Sequence, residues 1–386
     1  MIKKTVPTLV IVLLLAFAFA NGITPSYVYR APSVASGIAA KLLCSSVYVS
    51  GFTREQAFED LVQYSPILER VSIRYDDAAR QVHTSFFGLS PVTASYVEGL
   101  GCANNYEGYN QRAEFVAELP AAADNLPWPL GNEVNTINKE LQTLLQNLVT
   151  QDNNEGLNTR ALLAVHRGEI VAEAYAQQSD ENTPLLGWSM AKSLMSVMIG
   201  NLEYRGLLSV EEPAPFAAWQ NDERRNIRIV DMLTMTDGLN FSEQYNPGDD
   251  ATTMLFTTPA SSDYVLERTV RHRPGTFFNY SSGTANLLSR LHHDKTGGTL
   301  ASSLADYRQH IAAPMHFQHA VFETDAAGVL MGSSYLYASA RDWARLGQLM
   351  LNGGEINGER IVSEDWVKRS TSPNQSSNER AYGYQW

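Results

Sequence analysis

Apolar residues along this chain repeat at two spacings, and the spacings sort it into elements. A helical repeat places Val134, Ile137, Leu141, Leu144, Leu145 and Leu148 on one face of residues 134–149. Leu194, Met198 and Leu202 do the same for a helix that begins near residue 189 and stops at Gly206. Helices are also predicted over residues 32–49, 53–64, 229–235, 264–271, 285–295 and 341–351, with Thr53 and Gln56 spaced to cap the second of these. Extended runs at 70–75 and 81–87 flank Asp76-Asp77-Ala78-Ala79, and runs at 160–166 and 169–175 flank Arg167-Gly168. Each pair predicts a hairpin. The Pro- and Ala-rich stretch 119–130 is the expected join. Before it, residues 21–118 read as a small accessory region; residues 119–386, from the start of the join onward, read as the main domain.

The amino end departs from both spacings. Lys3 and Lys4 precede a continuous apolar run, Val6 to Ala20, which is short for a membrane span and suits a signal-peptide core. Ala18-Phe19-Ala20 offers a small-x-small cleavage site before Asn21, while Gly22 and Ile23 extend the run and keep an uncleaved anchor as the alternative. Residues 1–20 are therefore expected to export the protein, leaving it periplasmic, membrane-anchored or secreted. Disulfides persist in such compartments, so Cys44 and Cys102 are expected to pair; two separate buried thiols are the alternative. The 386 residues carry a net charge of −12, which argues against a nucleic-acid partner.

The chemistry concentrates at Ser189-Met190-Ala191-Lys192, the one Ser-x-x-Lys in the sequence. Residues three apart share a helix face, so the hydroxyl and the amine meet at the first turn. A serine hydroxyl needs a base to become a nucleophile. A lysine serves as that base only where burial favours its neutral form. Met190, Ala191, Leu194 and Met195 supply an apolar setting, and the helix start favours a developing oxyanion.

Further segments follow in a telling order: Arg205-Gly206-Leu207-Leu208, Met232-Leu233-Thr234-Met235-Thr236-Asp237-Gly238-Leu239, Pro274-Gly275, Tyr280-Ser281-Ser282-Gly283, and Ala338-Ser339-Ala340-Arg341-Asp342-Trp343-Ala344-Arg345. With the Ser-x-x-Lys, this order resembles the serine β-lactamase-related hydrolases of the class C and esterase type, and among them the 6-aminohexanoate-dimer hydrolase branch. The resemblance runs from about residue 119 to 386. It implies an α+β, β-lactamase/transpeptidase-like fold: an antiparallel sheet flanked by helices, plus a mostly helical lobe, with the cleft between them. It also implies Ser189 as the acylated nucleophile, Lys192 as its proton acceptor, and Tyr280 as a second base and acid. The implied reaction is hydrolysis of a small-molecule amide or ester, with no cofactor and no metal.

Two departures qualify the resemblance. The β-lactamase pattern is Tyr-x-Asn, and here Ser282 stands in the third place as the expected substrate-side residue; it lacks the amide that would hold a β-lactam side chain. The family also carries a Lys- or His-x-Gly on a late strand. Lys295-Thr296-Gly297 matches by letters but ends a helical run, so it is read as a helix stop. Residues 381–386 are expected to begin the late strand, which makes the domain look incomplete at its carboxyl end. The alternatives are a catalytically inactive envelope protein on the same scaffold, or a β-lactamase or cell-wall peptidase. Gly-x-Ser-x-Gly and His-Glu-x-x-His do not occur, and His316, His319 and Glu323 do not complete a metal-ligand set. His292-His293 is expected to be solvated or to cap its helix.

Overall fold

The computed structural model describes residues 24–113, 115, 126–213, 215–379 and 381–386. The amino-terminal targeting segment and residues 119–125 of the expected join lie outside them.

The accessory region is one helix laid across a sheet. Helix α1 (Pro25–Tyr48) starts earlier than periodicity suggests, because Thr24 caps it by accepting from the Tyr27 amide at 3.1 Å. Helix α2 (Arg54–Tyr64) begins where Thr53 accepts from the Gln56 amide. Strands β1 (Val71–Asp76) and β2 (Gln81–Phe86) form the expected hairpin. Strands β3 (Leu89–Val97) and β4 (Gly101–Asn104) continue it into a four-stranded antiparallel meander. Sequence periodicity missed β3: Pro91 and the polar Ser90, Thr93 and Ser95 blur its alternation. Ala39, Ala40, Leu43 and Cys44 of α1 share one buried cluster with Val82, Ala94 and Cys102 of the sheet. Cys44 and Cys102 are joined by a disulfide.

In the main domain, α3 (Lys139–Asn154) starts at the Asn138 cap, after the apolar repeat begins, since the Asn138 carboxamide accepts from the Leu141 amide. Strands β5 (Ala161–His166) and β6 (Glu169–Tyr175) form the second expected hairpin. Strand β7 (Leu185–Leu186) leads into helix α4 (Met190–Tyr204). Helices α5 (Ile229–Leu233), α6 (Asp250–Phe256), α7 (Ser261–Leu266), α8 (Ser282–Lys295) and α9 (Leu300–Tyr307) build the helical lobe. Strands β8 (Ala320–Phe322) and β9 (Leu336–Ala338) join β7 in an antiparallel sheet ordered β7-β9-β8. Helix α10 (Ala340–Leu351), a small hairpin of β10 (Glu355–Ile356) and β11 (Glu359–Arg360), and helix α11 (Glu364–Ser370) complete the order.

Helix α4 is the spine of the main core. Leu194, Met195, Val197, Met198, Ile199 and Leu202 are all buried. At Gly200 an added Cβ would sit 2.4 Å from the Trp366 ring, so only glycine admits that packing.

Two expectations change. Residues 381–386 are not a strand: the Tyr384 amide bonds the Ser370 carbonyl and the Gln385 amide bonds the Leu233 carbonyl, which ties the segment to α5 and α11. His292 and His293 are buried rather than solvated; they pair with Asp306 and Ser303. Glu323 is a buried partner of Lys41, Ser45 and the Cys102 amide. Lys295-Thr296-Gly297 does end α8, with Gly297 at φ +114° and Lys295 paired to Glu212. Among the described residues, no helix is long and apolar enough to cross a membrane.

Candidate active site

A tight strand-to-helix turn presents Ser189. Gly187, just after β7, donates its amide to the Leu336 carbonyl at 2.9 Å. An added Cβ at Gly187 would lie 2.1 Å from the Trp343 ring. Trp188 then takes φ +43°, a left-handed conformation that a bulky residue adopts only under local constraint. Ser189 follows as the N-cap of α4 with its hydroxyl unused in capping, and its side chain is exposed.

Lys192 lies one turn on and is 1% exposed. Its Nζ lies 3.0 Å from Ser189 Oγ, 3.1 Å from Ser282 Oγ and 2.8 Å from the Ser333 carbonyl oxygen. Burial lowers its pKa to about 8, against an opposing pull from the Glu243 carboxylate. The Ser333 loop is pinned from behind, where its amide donates to Asn286 Oδ1 on α8.

Tyr280 closes the other side. Its ring faces Lys192 Nζ at 5.0 Å from the centroid, and Tyr382 meets it edge-on at 6.0 Å. Burial raises its pKa, partly offset by a hydrogen bond with Ser189. The phenol is therefore protonated at neutral pH, which suits a proton donor better than a base. The segment 235–239 forms its platform. Asn279 donates to the Met235 and Phe241 carbonyls, and at Gly238 (φ +77°) the backbone passes so close to the His272 carbonyl that a Cβ would lie 2.0 Å from its oxygen. Asp237, pushed up to about 6 by burial, accepts from Thr284 Oγ1 at 2.5 Å and so ties this platform to α8.

Ser189, Lys192, Tyr280 and Ser282 thus come together as the motif order implied. Ser282 differs in its role. It is 1% exposed, and its hydroxyl lies between Lys192 and Glu243 rather than facing a substrate.

Sequence reasoning missed three contributors. Glu243 accepts from the Ser282 amide at 2.7 Å, from Ser282 Oγ at 2.5 Å and from the Tyr245 hydroxyl at 2.7 Å. Ser333 acts through a backbone carbonyl, for which no side-chain signal exists. Tyr64 comes from the accessory region and meets Trp188 edge-on, with ring centroids 5.7 Å apart.

Comparison with known proteins follows the same lines. The β-lactamase family profile matches residues 141–386. The chain is 26% identical over 226 residues to a 6-aminohexanoate-dimer hydrolase of Paenarthrobacter ureafaciens, covering 54% of this chain and 56% of that protein. It therefore spans about half the length of that curated relative. A Bacillus anthracis structure, provisionally named a 6-aminohexanoate-dimer hydrolase, superposes with a TM-score of 0.53 at 23% identity, over 63% of this chain and 67% of that one. A Bacteroides dorei structure, provisionally named a β-lactamase, gives 0.53 at 18% identity, over 63% and 78% of the two chains. What these structures share with the present one is the fold.

Proposed function

The chain belongs to the β-lactamase family, and from that premise we propose that it is a serine hydrolase that cleaves a small amide or ester through an acyl-enzyme on Ser189. One observation carries this reading: the hydrogen-bond arithmetic at Lys192. A neutral amine has two protons and one lone pair. The Ser333 carbonyl can only accept, and the Ser282 hydroxyl spends its own proton on Glu243, so it too accepts from Lys192. Both amine protons are then committed. The lone pair is left for the third neighbour, Ser189 Oγ.

The steps follow from that arrangement. Lys192 takes the Ser189 proton as Oγ attacks the substrate carbonyl carbon. The positive end of α4 favours the oxyanion that develops. The Tyr280 phenol gives its proton to the departing nitrogen or oxygen, and the proton held by Lys192 replaces it. Water then repeats the attack on the acyl-enzyme and releases the acid. The name of the Paenarthrobacter relative points to a short linear amide as the substrate class. Ser282 is occupied between Lys192 and Glu243, so no side-chain amide stands there to hold a β-lactam.

A fluorophosphonate probe should label Ser189, and the label should be lost in Ser189→Ala. Absence of labelling in the folded protein would refute the reading and favour a non-catalytic scaffold; labelling by a fluorescent penicillin would favour a cell-wall peptidase or β-lactamase.

A further inference from the structure

Three contacts orient the accessory region. Tyr48, at the carboxyl end of α1, donates to Asp77 in the β1–β2 turn at 3.1 Å. Cys44 joins Cys102. Thr84 Oγ1 donates to the Ser36 carbonyl at 2.7 Å. Helix α1 thus runs backwards, from the β1–β2 turn towards the β2–β3 turn. Beyond Ser36 it continues for about 16 Å to its first residue. Strand β2 continues from Thr84 to the turn for about 10 Å in the same direction. Val71 pairs with Phe86, so the preceding turn Pro66–Arg70 lies at this end as well.

Large apolar side chains gather there without cover. Val28 and Tyr29 on α1 are 62% and 83% exposed, Ile67 is 52% exposed, and Phe87 and Leu89 at the hairpin tip are 66% and 58% exposed. Phe87 and Gly88 form the tip with φ values of +49° and +77°. Such a two-residue turn favours Asn or Asp at its first place. A phenylalanine there carries backbone strain, and its ring meets that of the neighbouring Phe86 edge-on at 4.7 Å yet stays largely exposed. Arg30 and Arg70 are exposed at this end, with Glu69 beside Arg70. The chain also enters the accessory region here, at Thr24, directly after the apolar run Val6 to Ala20.

We propose that this end of the accessory region rests on a lipid bilayer, with residues 6–20 retained as the anchor and Phe87 and Leu89 inserted beside it at the headgroup level. Aromatic and aliphatic side chains flanked by arginines suit that interface. The hairpin tip is then a second contact that fixes how the main domain stands above the membrane.

The test uses the full chain in vesicles of phosphatidylcholine and phosphatidylglycerol. Both native cysteines are in the disulfide, so Leu89→Cys supplies one reactive thiol for an environment-sensitive fluorophore. The label should shift to the blue and lose intensity with lipids carrying a nitroxide high on the acyl chain. Ile67→Cys should respond likewise. Ala78→Cys, in the β1–β2 turn at the opposite end, should stay water-like. Labels at 89 and 67 that remain water-like would overturn the proposal, as would an equal response at 78. Protection that appears without lipid and grows with protein concentration would mean a second copy covers this end, and would overturn it too.

Discussion

The indole nitrogen of Trp188 donates to the hydroxyl of Tyr64 at 3.0 Å, and this bond joins the accessory region to the residue beside the nucleophile. Trp188 also faces Tyr335 across 6.0 Å, and Tyr335 in turn sits under Lys41 of α1, 4.0 Å from its ring centroid. Lys41 is held by the buried Glu323. Residues outside the matched segment 141–386 therefore brace both Trp188 and the strand that follows Ser333.

Tyr64 is thus a positioning residue for the strained turn at Trp188. Tyr64→Phe keeps the ring contact and removes one neutral hydrogen bond, worth about 1 kcal/mol, so kcat should fall by no more than about fivefold with KM nearly unchanged. Tyr64→Ala also removes the ring and should cost more, again mainly in kcat. Steady-state kinetics on a chromogenic short-chain ester decide this: wild-type kcat in Tyr64→Ala would show that Trp188 needs no such support.

Ser189→Ala should abolish turnover of the same ester. Lys192→Ala and Tyr280→Phe should each lose about 100-fold or more, the scale of a lost acid–base group. Lys192→Met adds a stability readout. Because burial lowers the folded-state pKa, the unfolded chain holds more protons between about pH 8 and the ordinary lysine value. The buried lysine therefore weighs against folding below that window, and the methionine variant should melt higher at neutral pH while losing activity. A lower melting temperature would contradict this account of Lys192.

The disulfide closes a span of 58 residues between Cys44 and Cys102. The chain-entropy relation gives about 4 kcal/mol for such a loop. Replacing both cysteines by alanine should lower the melting temperature. It should also lower ester turnover, because the Cys102 amide is a partner of Glu323, which holds Lys41 over the Tyr335 ring. Unchanged stability in the double variant would rule out this role.

Much of this was legible in residue order. Ser189 and Lys192 met because three residues make nearly one helical turn, and Gly206 ended α4 at φ +72°. Tyr280 could be picked from the other tyrosines by its place after Pro274-Gly275. The accessory region's reach was not legible, since Tyr64 and Trp188 are far apart in the chain and their bond exists only once two hydrophobic clusters pack together. Strand β3 was hidden because its burial depends on α1 rather than on its own alternation. Ser282 was seen but given the wrong direction, because spacing alone does not reveal that Glu243 waits for its proton.

Glu243 yields the sharpest test. Lys192 must be neutral to accept the Ser189 proton, and burial brings its pKa to about 8, so acylation should rise with pH through about 8. The Glu243 carboxylate stabilises the ammonium and so opposes that lowering. It also pushes Tyr280 upwards, together with burial, and so delays ionisation of the proton donor. Glu243→Gln keeps an oxygen to accept from Ser282 but removes the charge. The Lys192 pKa should then fall further and that of Tyr280 should rise less. Both limbs of the kcat/KM profile should move towards lower pH, with the plateau less affected than in Lys192→Ala. A structural role alone would lower the whole profile without moving it. Profiles of the two proteins on the same ester, between about pH 5 and pH 10, separate the outcomes: a rising limb that stays in place, or moves to higher pH, would remove Glu243 from the control of Lys192.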